Sequence, residues 1–218
     1  PMDSLQSLLN LLVSGDLKTD EFMNFIPKVT SDVEHLNFTL NNLLFWASTQ
    51  LRGLSINPSN TDLHELVTIN YKLFQPKSIE KAITLKNEIP EGTLIWADSN
   101  QMDIVLRNLI NNALKFTKTN GSITVKCNEE KSFKIVSVID TGVGISQDVL
   151  DTLFKSSTAV TTYGTKNEKG TGLGLSICKE MVENNGGKIW VKSIINEGTT
   201  FQFSVPSTQP IENVSNSV

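Results

Sequence analysis

Asp140-Thr-Gly-Val-Gly-Ile145 is the stretch on which the reading of this chain turns. Just upstream, Phe133 to Ile139 is rich in Val and Ile and reads as a buried strand. That strand runs into one carboxylate and then two glycines with a single residue between them. A carboxylate at a strand end can accept a hydrogen bond from a ligand, and glycines let the main chain approach closely. Asp-Thr-Gly is also an ordinary turn sequence. The weight therefore falls on the motifs to either side.

On the N-terminal side, Asn108, Asn112 and Lys115 stand at i, i+4 and i+7 of a helix that Asp98 or Ser99 caps and that ends near Lys115. Leu106, Leu109, Ile110 and Ala113 fall mainly on the other side and pack on a sheet. Asparagine is a poor helix-interior residue, yet Asn108, Asn111 and Asn112 crowd together here. Amide oxygens and an ammonium on one stripe suit a hydrated divalent cation and a phosphate, although a solvated polar face would look the same. On the C-terminal side, Gly170-Thr-Gly-Leu-Gly-Leu-Ser-Ile177 opens a helix, with Thr171 at its start. Its glycines expose N–H groups beside a positive helix end, which favours an anion. The spacing is neither the dinucleotide fingerprint nor a Walker loop. Lys155 to Lys169, polar and without periodicity, reads as a lid, with Lys166 and Lys169 within reach of a polyphosphate.

The 218 residues allow one medium domain and a smaller one, and the net charge of −4 argues against nucleic acid as a partner. Cys127 and Cys178 have no metal-ligand spacing with each other or with His35 and His64, and read as reduced thiols. There is no membrane-length apolar run and no signal peptide. The first residue is Pro, so the chain is expected to be a piece of a longer protein. Residues 1–56 read as a helical hairpin. Met2, Leu5, Leu8, Leu9 and Leu12 form one stripe, Gly15 ends the first helix, and Thr19 caps a second whose stripe runs from Phe22 to Leu51 past Pro27. Two such helices leave apolar surface that a second copy would cover as a four-helix bundle, the alternative being a hairpin packed on its own C-terminal domain. Gly53 to Thr61 is turn-rich and reads as the boundary. Residues 57–208 alternate helices with mostly adjacent strands, an α+β pattern of two layers. Ser146 caps a short helix to Phe154, and residues 209–218 read as a flexible tail.

Taken in order, Asn108-Leu-Ile-Asn-Asn112-Ala-Leu-Lys115-Phe116, Asp140-Thr-Gly-Val-Gly-Ile145, Leu153-Phe154 and Gly170-Thr-Gly-Leu-Gly-Leu175 resemble the N, first glycine, F and second glycine boxes of sensor histidine kinases. Glu197-Gly-Thr-Thr-Phe-Gln-Phe203 resembles that family's final strand, and Pro1-Met-Asp-Ser-Leu-Gln-Ser-Leu-Leu9 the tail of its H box. The resemblance implies a dimerisation hairpin followed by a two-layer α/β sandwich of the GHKL ATPase type. It implies ATP and Mg²⁺ as cofactors, a homodimer through the hairpin, and a response-regulator receiver domain as partner. It implies a cytoplasmic site, with any membrane contact through missing upstream parts.

By that resemblance Asp140 binds the exocyclic amine of adenine, and Gly142 and Gly144 shape the base pocket. Asn112, helped by Asn108, holds Mg²⁺. Lys115 and Lys169 meet the phosphates. Phe116 lines the adenine and ribose, Ile145 and Leu153 form apolar walls, and Phe154 anchors the lid. Gly170, Thr171, Gly172, Leu173, Gly174 and Leu175 cradle the phosphates, and Thr199 supports the Asp140–adenine contact through water. The phosphoacceptor histidine falls outside the chain. His35 lacks the sequence that follows an acceptor, and His64 reads as a surface or packing residue. The chain is thus expected to bind ATP without autophosphorylating. Two other readings compete. One is an ATPase like gyrase, MutL or the large heat-shock chaperone, but those use glutamate as base where Asn108 stands. The other is a degenerate dimeric scaffold, which intact boxes disfavour.

Overall fold

The computed structural model describes residues 2–15, 18, 20–26, 29, 33, 36, 40, 56–154, 164–165 and 174–210. The chain divides into two compact units, Pro1–Leu54 and Ser55–Val218. In the first unit, α1 spans Met2–Ser14. Gly15, at φ 79°, closes it by donating its N–H to Leu12 O, as the left-handed cap requires. Residues 20–26 are again helical. Glu21 reaches back to accept the Lys18 N–H at 3.1 Å, half of a capping box. Thr19 and Pro27 lie outside the described residues. Leu9, Val13, Met23, Phe25, Val33 and Leu40 are exposed in the single chain.

In the second unit, the turn-rich segment that reads as the boundary contains a strand, β1 (Ser59–Asp62), antiparallel to β3 (Leu94–Ala97). Its side chains are polar, so no apolar alternation announced it; Thr61, buried, donates its hydroxyl to Ala97 O. Helix α2 (Leu63–Glu80) starts where the Asp62 carboxylate accepts the Glu65 N–H. It runs through Pro76 and ends at Lys81 and Ala82, the latter at φ 51°. Strand β2 spans Thr84–Asn87.

Helix α3 (Ser99–Phe116) is capped by Asp98, whose Oδ1 accepts the Asn100 and Gln101 N–H groups. Asp98 Oδ2 accepts the Asn57 N–H at 3.1 Å, so one side chain both starts the helix and holds the incoming chain. At the far end Thr117 turns extended and donates its hydroxyl to Ala113 O. Strands β4 (Ser122–Glu130) and β5 (Phe133–Asp140) form a hairpin. Helix α4 is only Gln147–Leu150, followed by turns to residue 154. Ser146 starts it with its carbonyl, which accepts the Val149 and Leu150 N–H groups; its side chain makes no cap bond. Helix α5 is described from Gly174 to Asn184, and β6 (Ile189–Ile194) and β7 (Gly198–Pro206) close the domain. Thr171 and residues 211–218 lie outside the described residues.

The five-stranded sheet has the order β2-β4-β5-β7-β6, parallel only between β2 and β4. Helix α2 packs on β2, α3 on β4 and β5, and α5 on β6 and β7, which is the expected two-layer α+β sandwich. Alternate residues face the helices. In β5 that row is Val136, Val138 and Asp140; in β7 it is Thr199, Phe201, Phe203 and Val205, all buried. The sheet's helix-facing row thus ends, on β5, in a carboxylate. Across the helical layer, buried Asn185 locks α5 to α3, accepting the Asp98 N–H and donating to Gln101 Oε1. Because Asp98 caps α3 and holds Asn57, Asp98→Ala is expected to cost about 1–2 kcal/mol. Urea unfolding should show a lower midpoint at unchanged slope.

Candidate functional site

Asp140 lies opposite Thr199 in the β5–β7 register and is 5% exposed. Its Oδ1 accepts the Gly142 N–H at 2.8 Å and the Thr199 N–H at 3.3 Å. Oδ2 has no partner among the described residues. Burial pushes its pKa up from 3.8 to about 6, while the two N–H groups pull the other way. The folded domain therefore holds this proton more tightly than the unfolded chain does. As pH rises from about 4 to about 6, the group progressively withdraws stability. At neutral pH the site presents a desolvated negative charge with one oxygen committed and the other open to a donor.

The main chain closes around this carboxylate so tightly that glycine is the only fit. A Cβ on Gly142 would stand 2.6 Å from both Asp140 Oδ1 and Phe116 O. Gly144 takes φ +72°, and a Cβ there would strike Ile194 O. Gly198, which the sequence reading passed over as part of a strand, takes φ +128° with Asp140 O where its Cβ would be. Val143 donates its N–H to Phe116 O, tying the corner to the end of α3. Ser193 is a second omission. Its hydroxyl donates to Gly198 O at 2.8 Å and accepts the Ile145 N–H at 2.9 Å. With that proton used, Thr199 Oγ1, 2.9 Å away, is the donor to Ser193. Thr199 thus meets Asp140 through its main chain, and its hydroxyl faces Ser193. The signal in the sequence was Glu197-Gly-Thr, where a glycine sits at the start of a strand for want of room.

Along α3, Asn108 is buried, its Nδ2 donating to Ile104 O at 2.9 Å. Its Oδ1 lies against the start of α5: a Cβ on Gly174 would come within 2.5 Å of it. Asn112, Lys115 and Phe116 are half-buried, and the Lys115 ammonium rests 4.7 Å from the centre of the Phe116 ring. Asn112 presents an amide oxygen with no partner among the described residues, a hard donor of the kind magnesium takes. Ile145, Leu153, Phe154 and Leu175 are half-buried. The structure therefore brings α3, the Asp140 corner and the first turn of α5 together. Lys166, Lys169, Gly170, Thr171, Gly172 and Leu173 lie outside the described residues, as does His35. His64 is a packing residue, its Nδ1 2.6 Å from Ile89 O. No helix of the described residues is long and apolar enough to cross a membrane.

Known proteins resemble this chain in sequence and fold. Residues 97–209 match the family of histidine kinase-, DNA gyrase B- and HSP90-like ATPases. The sensor protein SrrB of Staphylococcus aureus is 31% identical over 210 residues, covering 96% of this chain and 36% of SrrB. The chain thus spans about a third of the curated relatives it matches. Among solved structures, the nucleotide-free catalytic domain of histidine kinase ThkA is 33% identical with a TM-score of 0.61, covering 70% of this chain and 97% of that one. ThkA solved in complex with the response regulator TrrA covers 95% of this chain and 60% of its own, at 23% identity and a TM-score of 0.63. The motif order, the sandwich with its buried strand-end carboxylate, and these likenesses agree: the chain belongs to the histidine kinase-, DNA gyrase B- and HSP90-like ATPase family, in its sensor histidine kinase branch.

Proposed function

We propose that this chain is the phosphotransfer core of a sensor histidine kinase. Residues 57–208 bind Mg·ATP. In the longer protein, a histidine nitrogen on the helical hairpin attacks the γ-phosphorus, the bond to the bridging oxygen breaks, and ADP leaves. The phosphoryl then passes to an aspartate of a response-regulator receiver domain. ThkA, solved with such a regulator, supports the partner class. The exposed apolar residues of the hairpin unit support a homodimer through that unit. Its dependence on ATP puts the core on the cytoplasmic side of any membrane its parent crosses.

The observation that carries the reading is Asp140: one oxygen held by two main-chain donors, the other open, in a dry corner built of glycine. That geometry suits an exocyclic amine, which adenine has and guanine lacks at that position. Phe116, Ile145 and Leu153 wall the base, and Phe154 anchors the segment beyond it. Lys115 and Lys169 attract the phosphates. Gly170, Thr171, Gly172, Leu173, Gly174 and Leu175 cradle the phosphates. Asn112, with Asn108 behind it, holds magnesium, whose charge offsets that of the triphosphate. Thr199 steadies Asp140. The protein's part in such a transfer is positioning and charge stabilisation. Asn108 cannot take a proton from water, so transfer to a side chain is favoured over hydrolysis.

Since the ligand donates to a carboxylate of pKa about 6, affinity for ATP is expected to hold above that pH and to fall below it. The fall is at most about tenfold per unit. Calorimetric titrations between pH 5 and 8 would read it, and affinity that stays level to pH 5 would remove Asp140 from the adenine. Asp140→Asn should weaken ATP binding at pH 7.5 by about tenfold or more and abolish that pH dependence. The same substitution should make the ligand-free protein more stable at pH 7 by about 1–2 kcal/mol, because it discharges a buried charge while keeping an acceptor for Gly142 and Thr199. Thermal unfolding of both forms at pH 4 and 7 checks the sign: the gain should vanish at the lower pH.

A further inference from the structure

Lys81 has no part in the site described above, yet it is a buried cation, 6% exposed, at the end of α2. Its Nζ donates to Leu114 O at 2.8 Å, to Lys115 O at 3.3 Å and to Thr165 Oγ1 at 2.9 Å. The first two are carbonyls of the last turn of α3, the negative end of that helix, where an ammonium is most favoured. Thr165 completes the knot. Its N–H donates to Lys115 O at 3.0 Å. Its hydroxyl, accepting from Lys81, has one proton to give, to Lys115 O at 3.0 Å or Thr117 O at 3.2 Å. The Leu114 and Lys115 carbonyls at the end of α3 are thus held from outside the helix. In sequence Thr165 stands between Phe154 and Gly170, so the knot ties a residue far along the chain to the end of α3.

The Asp140 corner is held by other bonds, namely the Gly142 and Thr199 N–H groups on its carboxylate and the Val143 N–H on Phe116 O. Two sets of bonds therefore serve two ends of the site. Given the ATP site proposed above, we infer that Lys81 and Thr165 are positioning residues for its triphosphate end: they set where Lys115 stands. They touch no nucleotide themselves.

Mg·ATP and adenosine, titrated separately into the full chain, distinguish this from a purely structural role. Thr165→Val removes the hydroxyl at constant shape and is expected to weaken Mg·ATP about five- to tenfold while leaving adenosine within about twofold. Thr165→Ser, which keeps the hydroxyl, should return Mg·ATP affinity to within about twofold of the parent. Lys81→Met, measured at a temperature where its circular dichroism is native, should show the same selective loss. Unchanged Mg·ATP affinity in Thr165→Val, or an equal loss of both ligands, overturns the inference. A parent protein that binds adenosine and Mg·ATP normally confines that failure to Lys81 and Thr165. A parent that binds neither overturns the site assignment itself.

Discussion

Keeping one carboxylate out of water at the end of β5 is the constraint on which the rest of this domain depends. A dry charge is tolerable only if donors reach it, and the donors are main-chain N–H groups of Gly142 and Thr199. Main chain can come that close only where no Cβ intervenes, so Gly142 and Gly198 crowd the residue from two sides. Thr199 is in place because β7 pairs with β5 in one register; a shift of one residue would turn every side chain to the wrong face. Even so, burial outweighs the two donors and the carboxyl stays above its ordinary range. The folded domain thus holds an unfavourable charge that a suitable ligand donor relieves, a common condition of functional sites.

Helix α3 answers to two demands. One face carries Met102, Val105, Leu106, Leu109, Ile110 and Ala113, all buried. The other spends helix propensity on asparagines. Asn108 shows how the two meet: its amide is buried, bonded within its own helix and pressed against the first residue of α5. The polar stripe is therefore a packing surface for the glycine-bearing helix as much as a set of ligand donors. Lys81 and Thr165 do for the end of α3 what its own cap, Asp98, does for its start, so side chains satisfy main-chain groups at both termini.

Elements whose cause is local were legible in the sequence. Helix α3 shows its period and its cap, Gly15 its left-handed turn, and the Asp140 corner its run of strand, acid and glycine. Strand β1 was not legible, because Ser59, Asn60, Thr61 and Asp62 carry no apolar alternation and pair only because β3 offers an edge. The start of α4 was legible at Ser146, although there the carbonyl does the work expected of the side chain. Ser193, Gly198 and Lys81 were not, for a shared reason: each is defined by what comes to it from a distant part of the chain. Lys81 reads as an ordinary solvated lysine until the end of α3 is placed beside it.

The pairing of β5 with β7 has a consequence for the order of folding. The β4–β5 hairpin closes locally, but the Thr199 N–H that reaches Asp140 comes 59 residues later in the chain. Until β7 arrives, the acid remains hydrated and the hairpin has an open edge, so a nascent chain completes its pocket only when its final strand leaves the ribosome.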